Sequence, residues 1–302
     1  MAVVVIGNSV IDRSFLVDGL PQLGETRIAQ DALVDFGGKG LNQAVSAARC
    51  GAKVTLQTTV GDDSFGQELL AALHAEGILL PPSAVRGGPT DEAIVFVLPD
   101  GENAIICSTR AAQEADHSAG LAMLSRFGRD DWLVLQGNVS RNVTEDTLLR
   151  ARDRGIQTIV NPSPILFDYA GLWALIDIVI VNTPEARALT RCQNLDHAAE
   201  NFLQGGCATV IITAGSAGAI LRRAGHSSSV VIASPAATTV DTTGAGDTCC
   251  GIIAAGLDLG MPVESALAWG VQGAAITVSR WGSLSALPAR AQLESLRSGL
   301  AA

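Results

Sequence analysis

The sequence predicts an α/β protein with a doubly wound, mainly parallel central sheet flanked by helices, carrying a small β-sheet lid. Three observations lead there. Apolar runs of strand length alternate with helical patterns, those runs are apolar throughout instead of at every second position, and the alternation breaks once, at two β-rich runs joined by a turn. With 302 residues, 48% of them hydrophobic, the chain can bury a large core, and residues 1–302 are expected to form a single domain.

The first apolar run, AVVVIGNSV, predicts a buried strand ending at Gly7–Asn8. The stretch around 13–36 is cut by DGLPQLGE and suggests loop and short strands. After GGKG, an alanine-rich helix is expected over Leu41–Cys50, then a strand at KVTLQTTV and a helix at DSFGQELLAALHAEG. Within EAIVFVLPDGENAIICST, two β-rich runs flank Pro99-Asp100-Gly101, a hairpin turn signal. The segments at about 13–36 and 92–109 are therefore expected to form the lid. From Asp131 the alternation resumes with strand WLVLQG, a helix over about 142–154, strands QTIVNP and DIVIVN, and a helix from Pro184. Strand ATVIITAG, a hairpin-like stretch over 217–233 and two small-residue helices after Gly244 complete the pattern.

Charge and composition exclude several classes. A net charge of −10, with Lys39 and Lys53 the only lysines, argues against a surface that tracks nucleic-acid phosphates. No segment approaches the roughly 20 apolar residues of a membrane span, and the N-terminus lacks the basic flank and cleavage pattern of a signal peptide. A cytoplasmic location is expected. The 6 cysteines never form C-x-x-C, so reduced, buried thiols are expected. The 4 histidines fall in no zinc-binding spacing.

The most specific signal is VDTTGAGDTCCG, residues 240–251. Gly244, Ala245 and Gly246 precede a helical run, where backbone N–H groups and the helix dipole favour an anion. Asp247, in the first turn, could accept a proton from an attacking hydroxyl. A helix start with an aspartate cap explains a lone G-x-G-D more simply, and the motif gains weight only from its company elsewhere in the chain. In GGKGLNQA, Gly37, Gly38, Lys39 and Asn42 place polar groups at a glycine-rich helix start, but no G-K-[ST] follows the spacing of a P-loop. Asn8 and Asp12 follow the first strand, where open α/β sheets place ligands, although a turn explains them as well. VNTPEAR sets Asn182 and Glu185 at a helix start, and TAGSAG sets Thr213, Gly215 and Gly218 after a strand. Both suit ordinary turns, and both suit nucleotide phosphates with their metal.

Taken in order along nearly the whole chain, GNSVIDR, LPQLGET, FGGKGLNQAVSAARCGAKV, VGDDSFGQELLAAL, NPSP, VNTPEA, TAGSAG, DTTGAGDT and AAITVSRWG resemble the ribokinase-like, PfkB-type carbohydrate kinases. The resemblance implies a phosphotransferase that uses ATP and Mg2+ to phosphorylate a primary hydroxyl of a small sugar, D-ribose first, with another sugar or a nucleoside as the alternative. Asn8, Asp12, Gly37, Gly38, Lys39, Asn42 and Asn138 would hold the sugar, and Asp247 would be the base. Gly244, Ala245 and Gly246 would form the anion hole. Asn182, Thr213, Gly215, Gly218 and Gly246 would line the ATP site, with Glu185 acting on Mg2+ through water. Asp241, Thr243, Thr277, Arg280 and Gly282 would hold a monovalent cation, K+, several through backbone carbonyls. Paired lids would make a homodimer, because Ile94, Phe96, Ile105 and Ile106 leave apolar surface on the lid.

Three positions depart from the family pattern. Gly137–Asn138 stands where a glutamate is usual, STRAAQE introduces Arg110 after the lid hairpin near the expected sugar-facing strand, and Ala286 replaces a serine near the cation loop. They weaken the case for ribose more than the case for a kinase. A nucleotide-dependent oxidoreductase is disfavoured, since GNSVID has one glycine where a dinucleotide site needs G-x-G-x-x-G. A non-catalytic sugar-binding regulator would not need Asp247 beside the glycine bracket.

Overall fold

The computed structural model describes residues 1–81, 84–113 and 117–300. The chain begins with strands β1 (Val3–Ile6), β2 (Val10–Leu16) and β3 (Asp31–Gly37), followed by α1 (Lys39–Arg49), β4 (Val54–Gln57), β5 (Val60–Gly61) and α2 (Ser64–Ala75). Next come β6 (Val85–Arg86), the hairpin of β7 (Glu92–Val97) and β8 (Asn103–Cys107), and helices α3 (Arg110–Gln113) and α4 (His117–Met123). The second half runs β9 (Trp132–Gln136), α5 (Arg141–Arg154), β10 (Gln157–Asn161), β11 (Ile178–Asn182), α6 (Thr183–Thr190), α7 (Leu195–Gln204) and β12 (Thr209–Thr213). It closes with β13 (Ala219–Arg223), β14 (Val230–Ile232), α8 (Ala245–Asp258), α9 (Val263–Thr277) and α10 (Arg290–Leu300).

Eight strands form the main sheet in the order β14-β13-β12-β11-β10-β9-β1-β4, parallel from β12 to β4. Its central strands VVVI and WLVLQ are buried at every position because helices cover both faces. One face packs Val3, Val5, Val134 and Ile211 against α1, α2, α8 and α9, and the other packs Val4, Ile6, Leu133 and Val179 against α5, α6 and α7. Each fully buried Val, Ile or Leu contributes about 1.5–3 kcal/mol of transfer free energy, so these two layers dominate the stability. Side chains set several helix starts: Asp63, Ser140 and Asn194 each accept a backbone N–H from the first turn of α2, α5 and α7.

A second sheet, ordered β3-β2-β7-β8, stands apart from the first. β2 pairs in parallel with β7, and the other pairs are antiparallel. Its strands begin at Val10 and end at Gly37 in the first segment, and occupy Glu92–Cys107 in the second.

Two local expectations are corrected and one is extended. KVTLQTTV is not one strand: β4 stays in the main sheet, the chain leaves it at the buried Thr58 and Thr59, and β5 pairs instead with β6. The stretch over 217–233 is the expected hairpin, and it extends the main sheet, with β13 antiparallel to β12 and β14 antiparallel to β13. Arg110 follows the hairpin and opens the short helix α3, and α3, α4 and α10 were not anticipated. All six cysteines are free thiols, but only Cys50, Cys207, Cys249 and Cys250 are buried; Cys107 is exposed on the small sheet and Cys192 is half-buried. Among the described residues no helix is long and apolar enough to cross a membrane.

Candidate active site

Strand order reverses at β1, which has β4 on one side and β9 on the other. Open sheets leave a crevice beyond the C-terminal ends of the strands at such a point. The segments beyond β1 and β9 are Gly7–Asn8 and Gly137–Asn138, and α1 and α8 pack against the same strands.

At the start of α1, Gly38 takes φ 101° as N-cap and has no side chain with which to cap the helix itself. A Cβ on Gly38 would lie 2.8 Å from the Asn8 carbonyl, so both the backbone angle and the space require glycine. Asn8 fixes the join through its carbonyl, which accepts from Leu41 N–H at 3.1 Å, and its side-chain oxygen, which faces Gly40 N–H at 3.5 Å. Asn42 is 3% exposed with its Oδ1 unpartnered, and Asn138 is 3% exposed with both side-chain polar atoms unpartnered. Buried amides without partners are expected where a polar ligand completes the network.

α8 begins at Gly244, in the left-handed region at φ 74°, again with no side-chain cap. Of the expected anion-hole residues, Ala245 donates its N–H to the Thr242 carbonyl at 3.3 Å, whereas no hydrogen bond among the described residues takes the Gly244 N–H. No hydrogen bond among the described residues takes the Gly246 N–H. Asp247 is 7% exposed; its Oδ1 accepts from Gln43 Nε2 at 3.0 Å and lies 3.8 Å from Lys39 Nζ. Oδ2 receives no hydrogen bond among the described residues. One carboxylate oxygen is thus held while the other stays open beside a helix N-terminus, an arrangement able to accept a proton next to a bound anion.

Asp12 lies in β2, not beyond β1 in a turn, and accepts from the Ser283 hydroxyl. Its register partner on β3, Asp35, accepts from Ser283 N–H at 2.9 Å, Ser285 N–H at 3.0 Å and Ser285 Oγ at 2.8 Å. Burial pushes the Asp12 carboxyl up to about 7; the Ser283 hydroxyl opposes the rise, and the carboxylates of Asp35, Asp247 and Asp241 add to it. Gly37 leaves room for this group, since a Cβ there would sit against the Asp12 carboxylate.

Asp241, fully buried, accepts from Thr243 N–H at 2.8 Å and from Gly282 N–H at 3.2 Å. It therefore joins the loop before α8 to the loop after α9. Of the expected cation residues, Asp241, Thr243 and Gly282 come together. Thr277 lies at the end of α9 with its hydroxyl bonded to Thr248 at 2.9 Å, and the Arg280 guanidinium turns away to the Ala286 and Leu287 carbonyls and to Gln292.

Farther along the same sheet edge, Asn182 and Glu185 form a reciprocal capping box on α6, each bond 2.8 Å. Glu185 spends Oε2 on the Asn182 N–H and keeps Oε1. Thr213 ends β12 opposite Asn182, and the tight Gly215–Gly218 turn follows, closed by Ala214 N–H to Gly218 O at 2.7 Å. Gly218 packs against Ala233 and Ser234, and those residues open onto a cleft of about 620 Å³. Ala236, Gln272, Ala275 and Ile276 also line it. Neither this cleft nor Gln43, Gln136, Asp35 and Ser283 as site neighbours is foreseen from the sequence.

An uncapped helix start holding a half-open carboxylate at the switch point of a doubly wound sheet, with a second uncapped helix start facing it, is the layout of a group-transfer site for a small polar acceptor. The pfkB family carbohydrate kinase profile matches residues 2–290. The chain belongs to that family and is a phosphotransferase acting on an alcohol group. It is 32% identical over 292 residues to a ribokinase of Haemophilus influenzae, covering 95% of each chain. The fold matches the ribokinase structure from Thermotoga maritima with TM-score 0.86 and 30% identity, over 99% of both chains. It also matches the Arabidopsis thaliana ribokinase complexed with ribose and ATP, with TM-score 0.82 and 26% identity, covering 98% of this chain and 99% of that one.

Proposed function

We propose that this sugar kinase transfers the γ-phosphoryl group of ATP to the primary hydroxyl of D-ribose, giving ribose 5-phosphate and ADP. The observation that carries the reading is Asp247, with Oδ1 held by Gln43 and Oδ2 open, beside the free N–H of Gly246 at the start of α8. Asp247 takes the hydroxyl proton as the sugar oxygen bonds to the γ-phosphorus. The bond from that phosphorus to the β,γ-bridging oxygen breaks, and ADP leaves with the electron pair. Asp247 later returns its proton to solvent. In a loose phosphoryl-transfer transition state that proton moves late, so a carboxylate suffices as base.

Lys39, Asn42, Asn8, Asp12 and Asn138 surround the sugar, with the unpartnered Asn42 Oδ1 and Asn138 amide taking its hydroxyls. Asn138 offers a neutral contact, and a free sugar with several hydroxyls can satisfy both of its ends. Asn182, Thr213, Gly215 and Gly218 flank the phosphates, and the base of ATP occupies the cleft at Ala236, Gln272, Ala275 and Ile276.

Among the described residues there is no cluster of three acidic or metal-binding side chains, which suits Mg2+ held mainly by phosphates and water. Glu185 Oε1 would orient that water, and the ion would supply charge neutralisation at the phosphates. Asp241, Thr243, Thr277, Arg280 and Gly282 are assigned to K+. Backbone carbonyls of these loops would supply hard oxygen ligands, with Asp241 organising the backbone through its bonds to Thr243 and Gly282.

A second copy of the chain is proposed to cover the small sheet, acting as the lid, where Val34, Ile94, Ile105 and Ile106 are exposed. ATP as co-substrate fits a cytoplasmic site.

ADP release measured against D-ribose, 2-deoxy-D-ribose, D-fructose and adenosine tests the assignment. D-Ribose is expected to give the highest kcat/KM. A preference for adenosine, or no turnover with any sugar, contradicts it. Replacing potassium by tetramethylammonium is expected to lower kcat, and an unchanged rate removes the cation from the account.

A further inference from the structure

We infer that Gln43 and Gln136 form a two-amide relay that fixes which oxygen of Asp247 accepts the proton. Gln43 acts on the carboxylate, and Gln136 acts through Gln43. The inference rests on Asp247 being the base of the proposed phosphotransfer.

Gln43 and Gln136 are both fully buried. Gln136 Nε2 donates to Gln43 Oε1 at 2.8 Å, and Gln43 Nε2 donates to Asp247 Oδ1 at 3.0 Å. A carboxamide has one donor end and one accepting end, so Gln43 alone could turn over and set its oxygen against the carboxylate. The Gln136 N–H on Gln43 Oε1 prevents this, because a turned amide would face donor to donor at one end and oxygen to oxygen at the other.

The backbone holds the relay in place. Gln136 is the last residue of β9, and its Oε1 occupies the space a Cβ on Gly7 would need. A Cβ on Gly251 of α8 would come within 2.3 Å of the Gln43 carbonyl, so α1 and α8 meet at these two residues and carry Gln43 and Asp247 as one unit.

The consequence is an asymmetric carboxylate. Gln43 and Lys39 both approach Oδ1, leaving Oδ2 for the sugar hydroxyl. A neutral amide orients the group without adding a second cation, which would weaken it as a base. Gln43 and Gln136 are positioning residues, with no part in the bonds that form and break. Their chemistry lies in orientation, so their loss should appear in the rate of the bound complex and not in its formation.

Gln43→Met and Gln136→Met keep length and bulk while removing the amide. Steady-state kinetics with sugar and ATP, together with thermal unfolding, are expected to show kcat falling about 10- to 100-fold in each, with both KM values held within about threefold. The double variant should lose no more than Gln43→Met alone, since one residue works through the other. In an Asp247→Asn background, Gln43→Met should leave the residual rate unchanged. The relay is overturned if either folded variant keeps kcat, if the loss falls on KM, or if the two losses multiply. Should Gln43→Met not fold, Gln136→Met, which leaves every direct contact to Asp247 in place, decides by the same criteria. Wild-type turnover with kcat retained in the variants defeats the relay alone, whereas a wild-type chain without turnover defeats the phosphotransfer reading and the relay with it.

Discussion

Replacing Asp241 with asparagine should loosen the base of the site without touching the reacting groups. The carboxylate is fully buried and accepts one N–H from each of two loops, Thr243 at 2.8 Å and Gly282 at 3.2 Å. Asparagine has a single accepting oxygen, so its NH2 must face the other N–H. The variant loses one charge-assisted hydrogen bond, about 1.5–3 kcal/mol, and strands a buried donor, about 1–3 kcal/mol, for a total of roughly 3–5 kcal/mol. At about 2.1 cal/mol/K per residue, a chain of 302 residues unfolds with an entropy near 0.6 kcal/mol/K, so the midpoint should fall by roughly 5–8 °C. Thermal unfolding followed by circular dichroism, in potassium and in tetramethylammonium buffers, measures it. A shift below about 1 °C in both buffers refutes the loop-closure argument. So does a shift confined to potassium, which would assign the work of the carboxylate to the cation.

Asp12→Asn should change the pH dependence of stability. The folded-state carboxyl sits at about 7 against an ordinary 3.8, so the folded chain binds a proton that the unfolded chain releases between those values. The stability that Asp12 contributes is therefore complete below about 3.8 and lost as pH rises through about 7. Urea midpoints of the Asn variant should gain on wild type across that window, by an amount on the order of 2–4 kcal/mol, and remain parallel above it. Ala275→Trp fills the cleft beside the Gly215–Gly218 turn and should raise KM for ATP by about tenfold while KM for the sugar holds; equal effects on both would move the nucleotide base elsewhere.

The layers were legible because βα alternation and uniformly apolar strands are local properties. β1 and β9 appear in the sequence as VVVI and WLVLQ, and the turn at Pro99-Asp100-Gly101 announces β7 and β8. Local pattern failed where tertiary pairing decides. Nothing in KVTLQTTV shows that Thr58 will turn to bond Ser9 Oγ at 2.9 Å while the next residues join another sheet. The glycine brackets of α1 and α8 were visible for a similar reason, since the positive φ of Gly38 and Gly244 favours glycine. Their partners were not, because Gln43 reaches Asp247 across 204 residues and Ser283 reaches Asp12 across 271. A buried glutamine or serine carries no sequence signature of its own. Asn182 and Glu185 show the converse: their spacing was informative, and the structure shows it used first as a capping box.

The central claim is that Asp247 takes the proton in phosphoryl transfer, and single-turnover transfer from ATP to the sugar by Asp247→Asn tests it most directly. Asparagine keeps the size and the polar contact with Gln43 but cannot take a proton. The transfer rate is expected to fall about 10²- to 10⁴-fold, with the dissociation constants for ATP and sugar held within about threefold. A variant that folds, binds both substrates and transfers phosphate at the wild-type rate contradicts the account.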